Sequence, residues 1–442
     1  MNPLLGMTLV AGSFTGLILG VAWMRRRRRV HPELSRKIVH IGMGFTTLSF
    51  PWLFTEPWPV WVLSAGFVVT LVMLRVVPSL RDGLGQVLFG IERRTWGEYC
   101  FPVAVAIVFA IAHQQIVNYL IPLLVLGLAD ALAALIGVRF GRSKYVTDEG
   151  TKSLEGSLAF FVAAALSTLG PLMLLTDEPL SHAIATAVSI GVLTALIEAI
   201  SWRGLDNLFL PLTTLVLLVR TAERTTAELA VQVLVALGLL GLLLLWRRYT
   251  TFRDNAVAGV TLVLFVCWTS GGWEWLLSPL TVALVYTMLP FRPTHISPDV
   301  HGNWIVLSMI MPAFVWLFLE KGVNLPGQLN AYVLACGAQL AMVFLARWKR
   351  GWPTASATVV ILGASAAAWL IVYLPLWGLA QLPVRSATSA VLALMIFIVT
   401  TATFFAVSGR PVDMPNTAAR WLRQTALAAV ASTAGLLPVF KP

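Results

Sequence analysis

Apolar runs of about twenty residues recur along almost the whole chain, each long enough for a helix to cross the hydrocarbon layer of a bilayer. The charge that remains is gathered into short segments between them. With 58% hydrophobic and 12% charged residues among 442, and a mean hydropathy of +0.82, the sequence is too apolar for a soluble domain. The expected fold is an all-α, polytopic transmembrane helical bundle of about 14–16 spans.

A formal charge of +11 would suit a nucleic-acid partner, but its distribution argues otherwise. The basic residues stand between apolar runs, at Arg25 to Arg29, Arg36 with Lys37, Arg93 with Arg94, Arg247 with Arg248, and Arg347 to Arg350. That is how cytoplasmic loops look under the positive-inside rule, so no nucleic acid is expected. Cys100, Cys267 and Cys336 are isolated and suggest neither a disulfide framework nor a zinc site. In the first apolar run, Met7 to Trp23, the arginines follow instead of preceding it. It therefore reads as an uncleaved first helix with its N-terminus outside.

Breaks placed where Pro, Gly and charge collect put helices at about 4–24, 38–51, 59–77, 99–118, 119–137, 154–175, 182–201, 208–220 and 228–246, with seven more from about 256 to 439. Residues 138–153 form a basic, glycine-punctuated cytoplasmic loop. The first group of helices carries ionisable residues inside its spans and the second carries almost none. We therefore expect two domains, 1–248 holding the chemistry and 249–442 an additional transmembrane helical domain. In the latter, FRPTHISPDVHGN places Arg292, His295, Asp299 and His301 in a loop. Its H-x₃-D-x-H spacing offers metal-ligand types without helical pacing, so a solvated turn is expected.

Asp130 lies inside a span. An acid there costs about 2.5–3.5 kcal/mol on insertion scales and is retained where it faces a polar cavity or a partner. Following the alternation of spans, His40, Glu98, Asp130, Lys152, Glu155, Glu198, Asp206 and Asn207 all fall toward the cytoplasmic side, Asp130 roughly 10 Å deep. Acids beside bases suit a metal-bound nucleotide, because Mg²⁺ takes carboxylate and phosphate oxygens while cations neutralise the remaining phosphate charge. Gly137, Gly141, Gly150 and Gly156 would let the backbone approach phosphate, and the helix starting near Leu154 would direct N–H groups toward it. Each residue also has a plainer reading. His40 would be an interfacial histidine, Asp130 and Glu198 structural acids, Lys152 and Glu155 a surface pair at i and i+3, and Glu92, Arg93 and Arg94 a solvated loop.

ELSRKIVHIGMG (33–44), GLADALAALIGVRFG (127–141), KSLEGSLAFF (152–161) and Glu198 with GLDN (204–207) resemble, in order, the motifs of the phytol kinase and dolichol kinase group of membrane enzymes, a group related to CDP-diacylglycerol synthases. The resemblance implies a CTP-dependent kinase of a long-chain isoprenoid alcohol, with CTP and a membrane lipid alcohol as its partners. Carried over by motif, Asp130, Lys152, Glu155 and His40 would be catalytic. Arg36, Lys37, Arg139, Arg142, Lys144, Ser153 and Asn207 would contact substrate. Asp130, Glu198 and Asp206 would hold Mg²⁺. The expected setting is a bacterial inner membrane, with the site facing the cytoplasm. A phosphatidate cytidylyltransferase would use the same metal and nucleotide but attack the alpha phosphorus, and the KDxxxxxxPGHGG-type stretch of such enzymes is missing. A non-catalytic transporter or scaffold would show matched broken helices in two halves, whereas these halves differ in polar content.

Overall fold

The computed structural model describes residues 2–28, 32–77, 96–147, 150–246, 254–288, 303–322, 325–351, 354–378, 386–408 and 418–440. These residues are almost entirely helical and divide by packing into two compact units, Met1–Ala236 and Leu237–Pro442. Among the described residues nine helices are long and apolar enough to cross a membrane. Gly97–Ala112, Asn255–Gly271 and Asn303–Leu319 are apolar but shorter. Pro32–Leu48, which carries Arg36 and Lys37 in its first turns, is short as well.

The first unit runs through α1 (Pro3–Arg28), α2 (Pro32–Leu48), α3 (Trp58–Val76), α4 (Gly97–Ala112) and α5 (Ile116–Phe140), the last interrupted by a π turn at Val125–Ala129. A two-stranded hairpin follows, β1 (Lys144–Thr147) and β2 (Gly150–Ser153). Then come α6 (Leu154–Leu175), α7 (Leu180–Ile200), α8 (Asp206–Ala222) and α9 (Thr226–Trp246), within which the division between the units falls.

The two faces of α6 show how a membrane helix is used. Phe160, Ala163, Ala164, Ser167 and Thr168 are buried, whereas Leu154, Leu158, Val162 and Leu166 stand exposed at i+4 spacing. A bare apolar stripe on one face, with small residues packed on the other, is what a lipid-facing helix presents. The buried side of α6 packs on α5, α7 and the π turn, and α8 packs on α4, α5, α7 and the π turn. Helix α2 also rests on α5 and the π turn. Its C-terminal end is fixed by an aromatic node in which Phe109 meets Phe50 and Tyr119 edge-on at 6.3 and 5.4 Å. The Tyr119 hydroxyl donates to the Thr47 carbonyl at 2.8 Å.

The second unit contains α10 (Asp254–Gly271), α11 (Trp273–Met288), α12 (Asn303–Gly322), α13 (Gln328–Gly351), α14 (Ala357–Gly378), α15 (Ala387–Ser408) and α16 (Ala418–Thr433). Helix α13 is its axis, with 94% of its apolar window buried and α11, α12, α14, α15 and α16 packed around it. Its buried Gln339 finds partners inside the unit, as burial away from water favours. Gln424 donates to the Gln339 side-chain oxygen at 2.8 Å, and Gln339 donates to the Ser308 carbonyl at 3.1 Å. Arg292, His295, Asp299 and His301 lie outside the described residues.

Candidate functional site

Where a loop was expected after α5, the chain forms the β1–β2 hairpin, pairing Lys144 with Ser153, Tyr145 with Lys152, Val146 with Thr151 and Thr147 with Gly150. The signal was present in two short segments of strand-forming residues around a glycine, KYVT and GTKS, with Gly150 at φ 136° in a conformation that suits glycine. Their charge disguised it as a loop. The pairing matters because it fixes the direction in which Lys152 leaves the backbone.

From there the Lys152 ammonium reaches the last turn of α7. It donates to Glu198 Oε1 at 2.7 Å and also to the Glu198 main-chain carbonyl. The carbonyls at the end of a helix carry partial negative charge, so a lysine there complements the helix dipole, sharing the Glu198 carbonyl with the Ser201 N–H at 3.3 Å. The pair is largely enclosed, with side-chain exposures of 27% for Lys152 and 11% for Glu198. Burial alone would lower the Lys152 ammonium. The Glu198 carboxylate and its hydrogen bond, with Tyr145 and Asp206 beyond them, instead hold it above its ordinary value. Glu198 therefore favours the charged form of Lys152. Two of its three N–H donors are committed to Glu198, and one remains.

Three residues expected to act on substrate make contacts that hold the scaffold. Ser153 is the N-cap of α6, its hydroxyl accepting from the Gly156 N–H at 3.1 Å, an arrangement worth about 1 kcal/mol. The Glu155 carboxylate accepts from the Ser143 N–H at 3.0 and 3.3 Å, tying the approach to the hairpin onto α6, so it does not pair with Lys152. Asn207 donates to the Gly97 carbonyl at 3.0 Å and joins α8 to the start of α4. Gly141 and Gly156 are closely packed. A Cβ on Gly141 would stand 2.2 Å from the Gly137 carbonyl and 2.6 Å from Ser153 Oγ, and one on Gly156 would meet the Ala133 carbonyl at 3.0 Å.

The same contacts set relative depths. Helix α5 meets α6 with Ala133 and Gly137 beside Gly156, and α7 meets α6 with Gly191 against Phe161. Extrapolated along the antiparallel pairs, Glu198 is level with the first residue of α6 while Asp130 is about two turns, roughly 10 Å, further in. Asp130 is half-buried and begins the helical turn immediately after the π turn, a local widening often found at functional sites. Asp206 opens α8 near the shallow level and lies within electrostatic reach of both Lys152 and Cys100. This difference in depth has a consequence for metal binding. Among the described residues no three His, Cys, Asp or Glu side chains come together as a metal site, so the Asp130, Glu198 and Asp206 set is not a preformed three-carboxylate centre. Glu198 faces Lys152 instead.

Arg36, Lys37 and His40 lie in α2, on the element that packs against the π turn, and their side chains are outside the described part of the structure. Glu92, Arg93 and Arg94 also fall outside it. Arg139, Arg142 and Lys144 are exposed around the hairpin base. Sequence reasoning passed over Tyr145, whose hydroxyl shares a 2.7 Å hydrogen bond with Ser157 Oγ. It also passed over Arg203, which holds a left-handed φ of 54° while its carbonyl accepts from the Trp96 N–H at 2.8 Å. A cavity of about 260 Å³ opens at the other ends of α5, α6 and α8, lined by Asn118, Leu172, Thr176, Glu178 and Thr221 among others, remote from Lys152.

Compared with known proteins, the chain is 29% identical over 211 residues to phytol kinase of Synechocystis sp., an alignment covering 46% of this chain and 86% of that protein. No protein-family profile matches the chain, and no solved structure matches it.

Proposed function

We propose that this chain is a membrane-embedded kinase that transfers the terminal phosphoryl group of CTP to a long-chain isoprenoid alcohol at the cytoplasmic face of a bacterial inner membrane. The observation that carries the reading is the two-level arrangement of charge in the first unit. A fixed cation, Lys152 on Glu198, stands at the helix ends, and an acid, Asp130, stands about two turns deeper among apolar helices. A kinase joining a water-borne nucleotide to a membrane-borne alcohol needs its phosphate-neutralising charge at the water edge and its hydroxyl-accepting group further in. The likeness to phytol kinase supports a prenyl-alcohol kinase over other membrane enzymes.

In this reading the alcohol oxygen forms a bond to the terminal phosphorus as the bond from that phosphorus to the bridging oxygen of CDP breaks. Asp130 accepts the hydroxyl proton. Phosphoryl transfer is dominated by positioning and charge stabilisation, which Lys152 provides through its remaining N–H while Glu198 holds it in place. Asp206, at the level of the helix ends, is the carboxylate that would hold Mg²⁺ brought in on the nucleotide, while Asp130, deeper in the bundle, is kept for the hydroxyl proton. The donor set fits an ion completed by phosphate oxygens, as Mg²⁺ commonly is, and not an all-protein cage. When bound, the ion neutralises charge on the phosphates. Arg36, Lys37 and His40 would border the phosphates from α2. Residues 1–248 carry the chemistry, and 249–442 serve a non-catalytic role.

The test is to supply CTP labelled separately at its alpha and gamma positions, with phytol or a polyprenol and in parallel with phosphatidic acid. Gamma label should enter an alcohol-derived lipid monophosphate with release of CDP, and a His295→Ala variant should transfer it at the wild-type rate. Alpha label in a CDP-lipid, with release of pyrophosphate, would replace this reading with a cytidylyltransferase. No transfer to either acceptor would favour a non-catalytic scaffold.

A further inference from the structure

Residues 141–153 join two helices that are each long and apolar enough to cross a membrane, Ile116–Phe140 and Leu154–Leu175. Strands of four residues extend about 13 Å at most, so the hairpin cannot leave the membrane surface by more than roughly the headgroup layer and one screening length. Its base has a mixed character. Arg139, Arg142 and Lys144 are exposed, and among the described residues none of the three has an ion-pair partner. Beside them Val138, Phe140, Val146 and Leu154 are exposed at 90, 59, 48 and 63%. The Arg139 guanidinium lies 5.4 Å from the centre of the Phe140 ring. Large apolar side chains interleaved with cations, at the end of two spans, match a surface that meets acyl chains and anionic headgroups together.

We propose that the hairpin base is a binding element for anionic phospholipid, whose phosphate docks on Arg139, Arg142 and Lys144 while Phe140 and Val146 enter the acyl boundary. The occupant follows from position and charge. These cations stand around the foot of two spans, whereas the Lys152 ammonium is turned toward α7 and engaged there by Glu198. Binding at the base would also steady Lys152, because Tyr145, next to Lys144, is paired with Lys152 across the strands and is anchored to Ser157 on α6. This coupling rests on the kinase reading; the lipid binding does not.

The experiment therefore reads lipid retention without turnover. The full-length protein is exchanged into micelles containing phosphatidylglycerol and phosphatidylcholine, and bound lipid is counted by native mass spectrometry across a salt series. Wild type should retain phosphatidylglycerol selectively, and less of it as salt rises. A triple variant Arg139→Gln, Arg142→Gln, Lys144→Gln should lose retention about fivefold per charge, on the order of a hundredfold together. Arg139→Lys with Arg142→Lys, which keeps the charge, should retain it, and this variant with the wild-type salt series carries the test if the triple variant does not fold. Equal retention in the triple variant, or salt-independent retention by wild type, would overturn the proposal. So would unchanged lipid with weakened binding of CTP, which would return these cations to the nucleotide.

Discussion

Asp130→Asn should fold and insert as wild type does while turnover falls by a factor on the order of 10²–10⁴, the usual contribution of a positioned proton acceptor. The substitution keeps size and shape and removes a charge that is costly within the membrane, so the fold is expected to survive it. The measurement pairs gamma-label transfer with the elution profile and thermal midpoint of the purified variant. An aggregated or poorly inserted protein would mean that Asp130 holds the helices together. A well-folded variant with wild-type turnover would remove Asp130 from the chemistry, whatever its depth in the bundle.

Lys152→Met should cost both stability and rate, and the two losses can be separated. Removing the ammonium leaves Glu198 enclosed, with a side-chain exposure of 11%, and uncompensated buried charge of this kind destabilises by about 3–5 kcal/mol. The low end applies, because the Lys152 side chain retains 27% exposure. Turnover should fall by on the order of 10²–10³, as when one preorganised charge-stabilising donor is lost. The double variant Lys152→Met, Glu198→Gln removes the stranded charge, so its thermal midpoint should return toward wild type while turnover stays low. Recovery of turnover together with stability would show that the pair is a structural clasp between the hairpin and α7, with no part in binding phosphate.

The plain alternative to that clasp was a surface pair between Lys152 and Glu155, three residues apart, and the geometry removes it. Glu155 points back to the Ser143 amide and Lys152 crosses to a helix 46 residues along the chain. Linear spacing could not separate these outcomes. A lysine at the edge of a strand and one in the first turn of a helix leave the backbone in different directions, and the choice depended on a hairpin whose charged sequence read as loop. The reach of Asn207 to Gly97, 110 residues away, was equally invisible, because a side-chain amide followed by apolar sequence looks the same whether it faces a ligand or another helix.

What the sequence determined by itself was the solvent this chain is built for and the order of its helices. Apolar length is a local property, and a run such as Leu154–Leu175 begins and ends in the structure where its own composition changes. It also placed Lys152, Glu198 and Asp206 toward one end of the bundle, where the structure brings them together, because span alternation converts position along the chain into depth. Only the tertiary structure decided how deep each one lies and which partner it takes. Depth depends on how far antiparallel helices slide along one another, and here Gly137 against Gly156 and Gly191 against Phe161 set that register. The π turn before Asp130 adds a residue to a helix without any mark in the apolar pattern. Three carboxylates expected to share one ion are therefore split between two levels, because close contact between helices is fixed by small side chains meeting across space, and no residue carries that information alone.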